Sequence, residues 1–225
     1  MRKCATVLIL VLVAAAPTSA APLDIVDIEG GWLNVFPAAN GAINNVAAQG
    51  TDTVRWPNPG DPLQSGYNFT PAADIIGAPL GAPLLLGTFQ HINQVIFTSI
   101  TSVEYAFSFT TNGLPNVLND TFHFDHNETP NPGDDIVTVS SVNLDQLIDV
   151  GGDQYFFNLL GFSTDGGMTF STIFTSPEGG TNTAQLYGRV TAQPIATPEP
   201  GTFSLLGAGL AVAGLRRRRR NRMTA

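Results

Sequence analysis

The chain has 225 residues, 43 % of them apolar, with 23 glycines and 16 prolines, which suits one ordinary domain, or two small ones, rich in turns rather than long helices. The formal charge of −8 hides a partition: Arg2 and Lys3 lie at one end, Arg216, Arg217, Arg218, Arg219, Arg220 and Arg222 at the other, and only Arg55 and Arg189 between. Against those two stand seventeen acids, so the middle carries about −15 and repels nucleic acid and anionic lipid.

The N-terminus reads as a secretory signal over residues 1–20. Arg2 and Lys3 are its positive start, and an apolar run of ten, residues 7–16, follows; such a run is too short to span a bilayer comfortably. Pro17 ends it, and Thr18-Ser19-Ala20 places a small residue before a cut between Ala20 and Ala21. Cys4 is the only cysteine. It precedes the apolar run, where a lipid-acceptor cysteine would follow it, and a mature chain without it has no disulfide or thiolate chemistry.

Residues 21–192 are expected to form one all-β ectodomain. They show no internal repeat, no heptads and no convincing helix period. Strand candidates at 31–37, 51–56, 65–70 and 84–90 come first. Val103, Tyr105, Phe107 and Phe109 then alternate with Glu104, Ala106 and Ser108. Phe122 and Phe124 alternate with Thr121, His123 and Asp125, and Val137 and Val139 with Thr138 and Ser140. A candidate at 154–162 follows. Ala184, Leu186, Gly188 and Val190 alternate with Thr183, Gln185, Tyr187 and Arg189. Period two is the signature of half-buried strands. Pro, Gly, Asn and Asp clusters at 57–62, 131–134 and 177–180 separate them. Eight or more short strands with such turns imply a single β-sandwich, jelly-roll-like, in which Val103, Tyr105, Phe107, Phe109, Phe122 and Phe124 are buried. Residues 142–150 are read as a short helical turn.

Candidate chemistry is sparse. His91 and Asn93 are two apart and share a face if the segment is a strand; such a pair can orient a substrate or hold a metal, but more often satisfies backbone groups near a strand end. Trp32 and Trp56 are candidates for stacking on sugar rings, though core packing is the commoner use. Asp125, Glu128, Asp134 and Asp135 crowd hard oxygen ligands into one turn region, as calcium requires, without the spacing of an EF-hand; a solvated acidic loop is the plainer reading. His123 and His126 are three apart, on opposite faces of a strand, which disfavours joint ligation of a transition metal. There is no Gly-x-Ser-x-Gly, His-Glu-x-x-His, P-loop or dinucleotide fingerprint, so no enzyme and no cofactor is expected, calcium being the one candidate ion.

The tail closes the pattern. Residues 193–202 form a linker containing Pro198-Glu199-Pro200, too rich in proline to run into a helix. Residues 203–215 are apolar, and 216–225 form a basic tail. Thirteen helical residues rise about 20 Å, short of a hydrocarbon core of about 30 Å, so a transmembrane helix here is marginal and needs the arginines to snorkel. The arginines keep that end cytoplasmic.

Taken together, the tripeptide, the short apolar segment and the terminal arginines resemble the PEP-CTERM sorting segment. That resemblance implies an exopolysaccharide-producing Gram-negative host and an exosortase-type membrane protease as partner. It also implies an inner-membrane precursor that ends at the cell surface or outside the cell. Four further strings extend it. They are Gly31-Trp32-Leu33-Asn34-Val35; Val54-Arg55-Trp56 leading to Gln64-Ser65-Gly66-Tyr67-Asn68-Phe69; Leu86-Gly87-Thr88-Phe89-Gln90-His91-Ile92-Asn93; and Glu128-Thr129-Pro130-Asn131. In this order they resemble the THxN family of PEP-CTERM proteins, related to choice-of-anchor K surface domains, with Gln90 standing where the family signature has Thr. That family supplies no activity. The expected role is a non-enzymatic structural or interaction protein of the surface or extracellular matrix. The alternative is a carbohydrate-binding module for exopolysaccharide, assisted by calcium. Nucleic acid is not an expected partner.

Overall fold

The computed structural model describes residues 22–37, 51–57, 62–111, 114–130, 132–141, 145–193, 206–211 and 213. Residues 1–20, expected as a signal, the Pro198-Glu199-Pro200 linker and the arginine run lie outside the described residues. The chain divides into two compact units, Ala20–Gln193 and Met1–Ser19 with Pro194–Ala225.

Within the larger unit, twelve strands build two six-stranded sheets. They are β1 (Leu23–Pro37), β2 (Thr53–Trp56), β3 (Ser65–Pro71), β4 (Ile75–Ala78), β5 (Pro83–Asn93), β6 (Ile100–Thr111), β7 (Leu114–Asn127), β8 (Asp135–Val139), β9 (Gln146–Val150), β10 (Asp153–Ser163), β11 (Ile173–Ser176) and β12 (Gly180–Ala192). The first sheet runs β11-β8-β7-β6-β1-β4 and the second β2-β3-β5-β12-β10-β9, with every pairing antiparallel.

The alternating residues of β6 and β7 act as their pattern requires. Tyr105 pairs with Phe122 and Val103 with Phe124, and all six of the expected core residues are buried. Side chains of the two sheets share one apolar cluster. Phe89 of β5 stacks on Phe124 of β7 at 5.7 Å and 4°, and Phe157 of β10 lies 6.4 Å from Phe122. Long β1 needs two irregularities to follow this core. Asp27 and Asn34 take left-handed backbone, φ 52° and 40°, where the register with β6 slips. Such bulges bend a strand and increase its twist.

The helical turn expected over 142–150 is corrected in part: residues 146–150 are the edge strand β9, and residues 142–144 lie outside the described residues. Gly151 and Gly152, both at positive φ, close a tight hairpin between Val150 and Asp153, a turn that only residues tolerant of left-handed backbone fit readily. Asp149 Oδ1 accepts from Gly152 N at 3.0 Å. Tyr187 also departs from expectation. It shares the alternation of Gln185 and Arg189 but is buried, with Phe170 of the preceding loop at 5.5 Å. That loop is held by Asp165, whose carboxylate accepts from Ser163 Oγ, Met168 N, Thr169 N and Thr169 Oγ1. The four bonds favour the charged form, led by those from Thr169, and hold its pKa well below the usual carboxylate range.

In the smaller unit, residues 206–211 and 213 are helical, with Leu206 and Leu210 exposed. No helix of the described residues is long and apolar enough to cross a membrane.

Candidate functional site

At one end of the core, aromatic packing gives way to polar groups. Trp56 of β2, Tyr67 of β3 and His91 of β5 come from the second sheet, and His126 of β7 and Asp135 of β8 from the first. Period two explains why these side chains point inward. His91 lies two residues from Phe89 on β5, His126 two from Phe124 on β7, and Asp135 two from Val137 on β8, and all six are buried. By the same rule His123 and Asp125 face outward, and His123 Nε2 meets Asp125 Oδ1 at 3.3 Å.

Tyr67 Oη and His126 Nδ1 share a hydrogen bond of 2.6 Å. The opposite ring nitrogen, Nε2, lies 3.4 Å from Glu128 Oε2 and 3.8 Å from Asp135 Oδ2. The rings of His91 and His126 stand perpendicular at 5.3 Å, while His91 also meets Tyr67 at 5.0 Å and Trp56 at 6.2 Å. Among the described residues neither ring nitrogen of His91 has a hydrogen-bond partner, although the residue is 0 % exposed. Asp135 Oδ2, Glu128 Oε1 and Trp56 Nε1 are likewise buried without hydrogen-bond partners among the described residues. Each such group costs about 1–3 kcal/mol when nothing replaces its lost water.

Burial pushes His91 down to about 2, with His126 adding to the effect, so His91 is neutral. Asp135 moves the other way. Burial, then Glu128 and Asp134, push it up to about 6 against the opposing pull of Thr129 N–H and His126. Thr129 N donates to Asp135 Oδ1 at 3.1 Å. Burial first, and Asp135 and Glu128 next, raise both Tyr67 and Glu178. The nearby guanidinium of Arg55 donates to Val54 O, Tyr67 O and Asn68 Oδ1.

Asn93 braces the rim. Its Nδ2 donates to Ser176 O at 2.8 Å, and its own carbonyl accepts from Gly179 N at 2.9 Å. The turn so held, between β11 and β12, carries Glu178. Ligand atoms of His91, His126 and Asp135 lie within 4.8 Å of one another, and so do those of Glu128, Asp135 and Glu178. The four carboxylates proposed in sequence for calcium therefore divide. Glu128 and Asp135 meet Glu178, whereas Asp125 and Asp134 belong to neither group, Asp125 because it occupies the outer face of β7. Trp32 and Trp56 take the commoner of their two readings, core packing, and not the sugar platform: both are 0 % exposed. Trp32 packs on Tyr67, Phe89, Tyr105 and Phe124, because a large ring on the inner face of a strand is core.

Sequence reasoning missed His126 as a partner of His91, and Glu178 as a partner of Glu128 and Asp135. The available signal was the phase of His126 with Phe122 and Phe124. Trp32, Trp56, Tyr67, His91 and Glu128, scattered over four separate strings, converge here.

Residues 196–220 match the PEP-CTERM protein-sorting motif. The match takes in Pro198-Glu199-Pro200 and all five consecutive arginines and leaves out the β-rich unit. No curated protein matches the chain. The motif marks an exported protein that is processed by exosortase and sorted to the cell surface.

Proposed function

We propose that the chain is a non-enzymatic surface or matrix protein, made as an inner-membrane precursor and freed by cleavage near Pro198-Glu199-Pro200. The sorting motif over residues 196–220 carries this reading. In it, residues 1–20 are the signal, 203–215 cross or enter the inner membrane, and residues 216–220 hold the tail on the cytoplasmic side. Moving several guanidinium groups through hydrocarbon costs on the order of several kcal/mol each, so the tail stays until the protease acts.

The β-rich unit is then the delivered cargo. Its two sheets are read as a sandwich of the THxN type, because their rings share one core and the four family strings meet at one end of it. A structural or interaction role is supported by where the polar groups sit. His91 and His126 lie beneath the surface, out of reach of a polymeric substrate. A surface near −15 keeps the freed unit soluble among acidic polymers. Exopolysaccharide in the host matrix remains the partner to examine.

Replacing Pro198, Glu199 and Pro200 by alanine should leave an uncut protein in the inner membrane, and deleting everything after Thr197 should release it without processing. Mass spectrometry of the native product reads both. If residues 216–220 persist at steady state in the native host, the tail is a plain anchor and the processing route fails.

A further inference from the structure

We propose that His91, His126 and Asp135 bind a divalent transition-metal ion, zinc in the first instance, with Glu128 completing the set on the solvent side. His91 carries the inference. A fully buried imidazole with both nitrogens unpartnered is costly unless something takes its lone pair.

Spacing gives the second argument. His126 Nε2 stands 3.4 Å from Glu128 Oε2 and 3.8 Å from Asp135 Oδ2. These separations are too long for strong hydrogen bonds. They are close to the ligand–ligand edge of about 3.3 Å that tetrahedral bonds of about 2.0–2.1 Å produce. A third argument is orientation. With Nε2 given to the metal, His126 Nδ1 carries the proton and donates to Tyr67 Oη across the 2.6 Å contact, the outer support that ligating histidines normally have. A cation there also offsets the mutual repulsion of Glu128, Asp135 and Glu178, whose ligand atoms crowd within 4.8 Å.

Two imidazoles with one or two carboxylates suit zinc and its neighbours, whereas calcium takes six to eight oxygens. The ligands come from β5 in one sheet and from β7 and β8 in the other. The ion is thus a pin between the sheets. It is independent of the sorting route, and neither result bears on the other.

The test uses the full chain in detergent, stripped with chelator and reloaded. One equivalent of zinc is expected, with cobalt(II) giving the visible absorption of a four-coordinate site. Chelation should lower Tm and zinc restore it. His91→Gln, His126→Gln and Asp135→Asn should lose the ion, while Asp125→Asn and Asp134→Asn keep it. Tyr67→Phe removes no ligand and should retain one equivalent with affinity weakened about 10- to 100-fold. The proposal is overturned if the stripped protein takes up neither zinc nor cobalt, if it takes calcium in their place, or if His91→Gln binds as well as the original. An unchanged affinity in Tyr67→Phe would remove His126 from the set.

Discussion

The core of the β-rich unit has two ends with opposite chemistry. Around Phe107, Phe122 and Phe157 it is dry, with Phe107 stacked on Phe122 at 4.9 Å and Phe109 edge-on to Phe157 at 5.6 Å. Around His91, β3, β5, β7 and β8 turn inward a phenol, two imidazoles and a carboxylate, several without hydrogen-bond partners among the described residues. Both ends obey one rule of alternation, since β5 and β7 each pass from phenylalanine to histidine two residues on. The dry end is stabilised by removing apolar surface from water. The polar end opposes folding by desolvation and is tolerated within that stability, which is how functional sites commonly sit in a fold.

Breaking the dry end should have the largest effect. Phe122→Ala deletes a fully buried ring and should cost about 3–5 kcal/mol, read from denaturant unfolding, with metal stoichiometry unchanged if the remaining protein folds. A cost under about 1 kcal/mol would mean that the ring stack does not hold the sheets together.

Bracing of the polar end comes next. Asn93→Ala leaves Ser176 O without its side-chain donor and should cost about 1–3 kcal/mol. It should also loosen the Glu178 turn, seen as faster amide exchange at Gly179.

His91→Leu should behave differently from either. Replacing an unpartnered buried imidazole by an apolar side chain should change metal-free stability by no more than about 1 kcal/mol in either direction, while abolishing the stabilisation by zinc. A loss as large as that of Phe122→Ala would show that His91 packs like the dry end and carries no polar burden.

The smallest effect belongs to neither end. Asp165 lies in the loop over Tyr187, and its pKa is held below the ordinary value of about 3.9. A depressed carboxylate stabilises the fold above that value and stops doing so as pH falls through its folded pKa. Asp165→Asn should therefore lower stability modestly at neutral pH, where the carboxylate is charged, and flatten the acid limb of the stability curve below about pH 4. An identical acid limb in the variant would place the titrating groups elsewhere.

How far the sequence reached can be traced in single residues. Phe107 and Phe122 were legible because long alternation leaves a strand one way to face. Ile148 and Val150 follow the same rule, but β9 is five residues long, and its better signal was the Gly151-Gly152 turn. Tyr187 was misplaced because alternation describes a sheet with one wet face, and the Asp165 loop covers that face locally. Trp32 and Trp56 could be read as core or platform until their neighbours were known.

Local order in the chain was enough for the all-β class, the inner faces of the long strands and the tail whose motif spans residues 196–220. Each depends on neighbours a few residues apart: a period of two, a tripeptide between prolines, an apolar run before arginines. Tertiary structure alone decided that His91 meets His126, thirty-five positions away, and that Asp135 leaves Asp125 and Asp134 for them. Period two orients each of these side chains but says nothing of which strands face one another. That choice rests on the pairing order of two sheets, a property of long-range contacts that residue spacing does not encode.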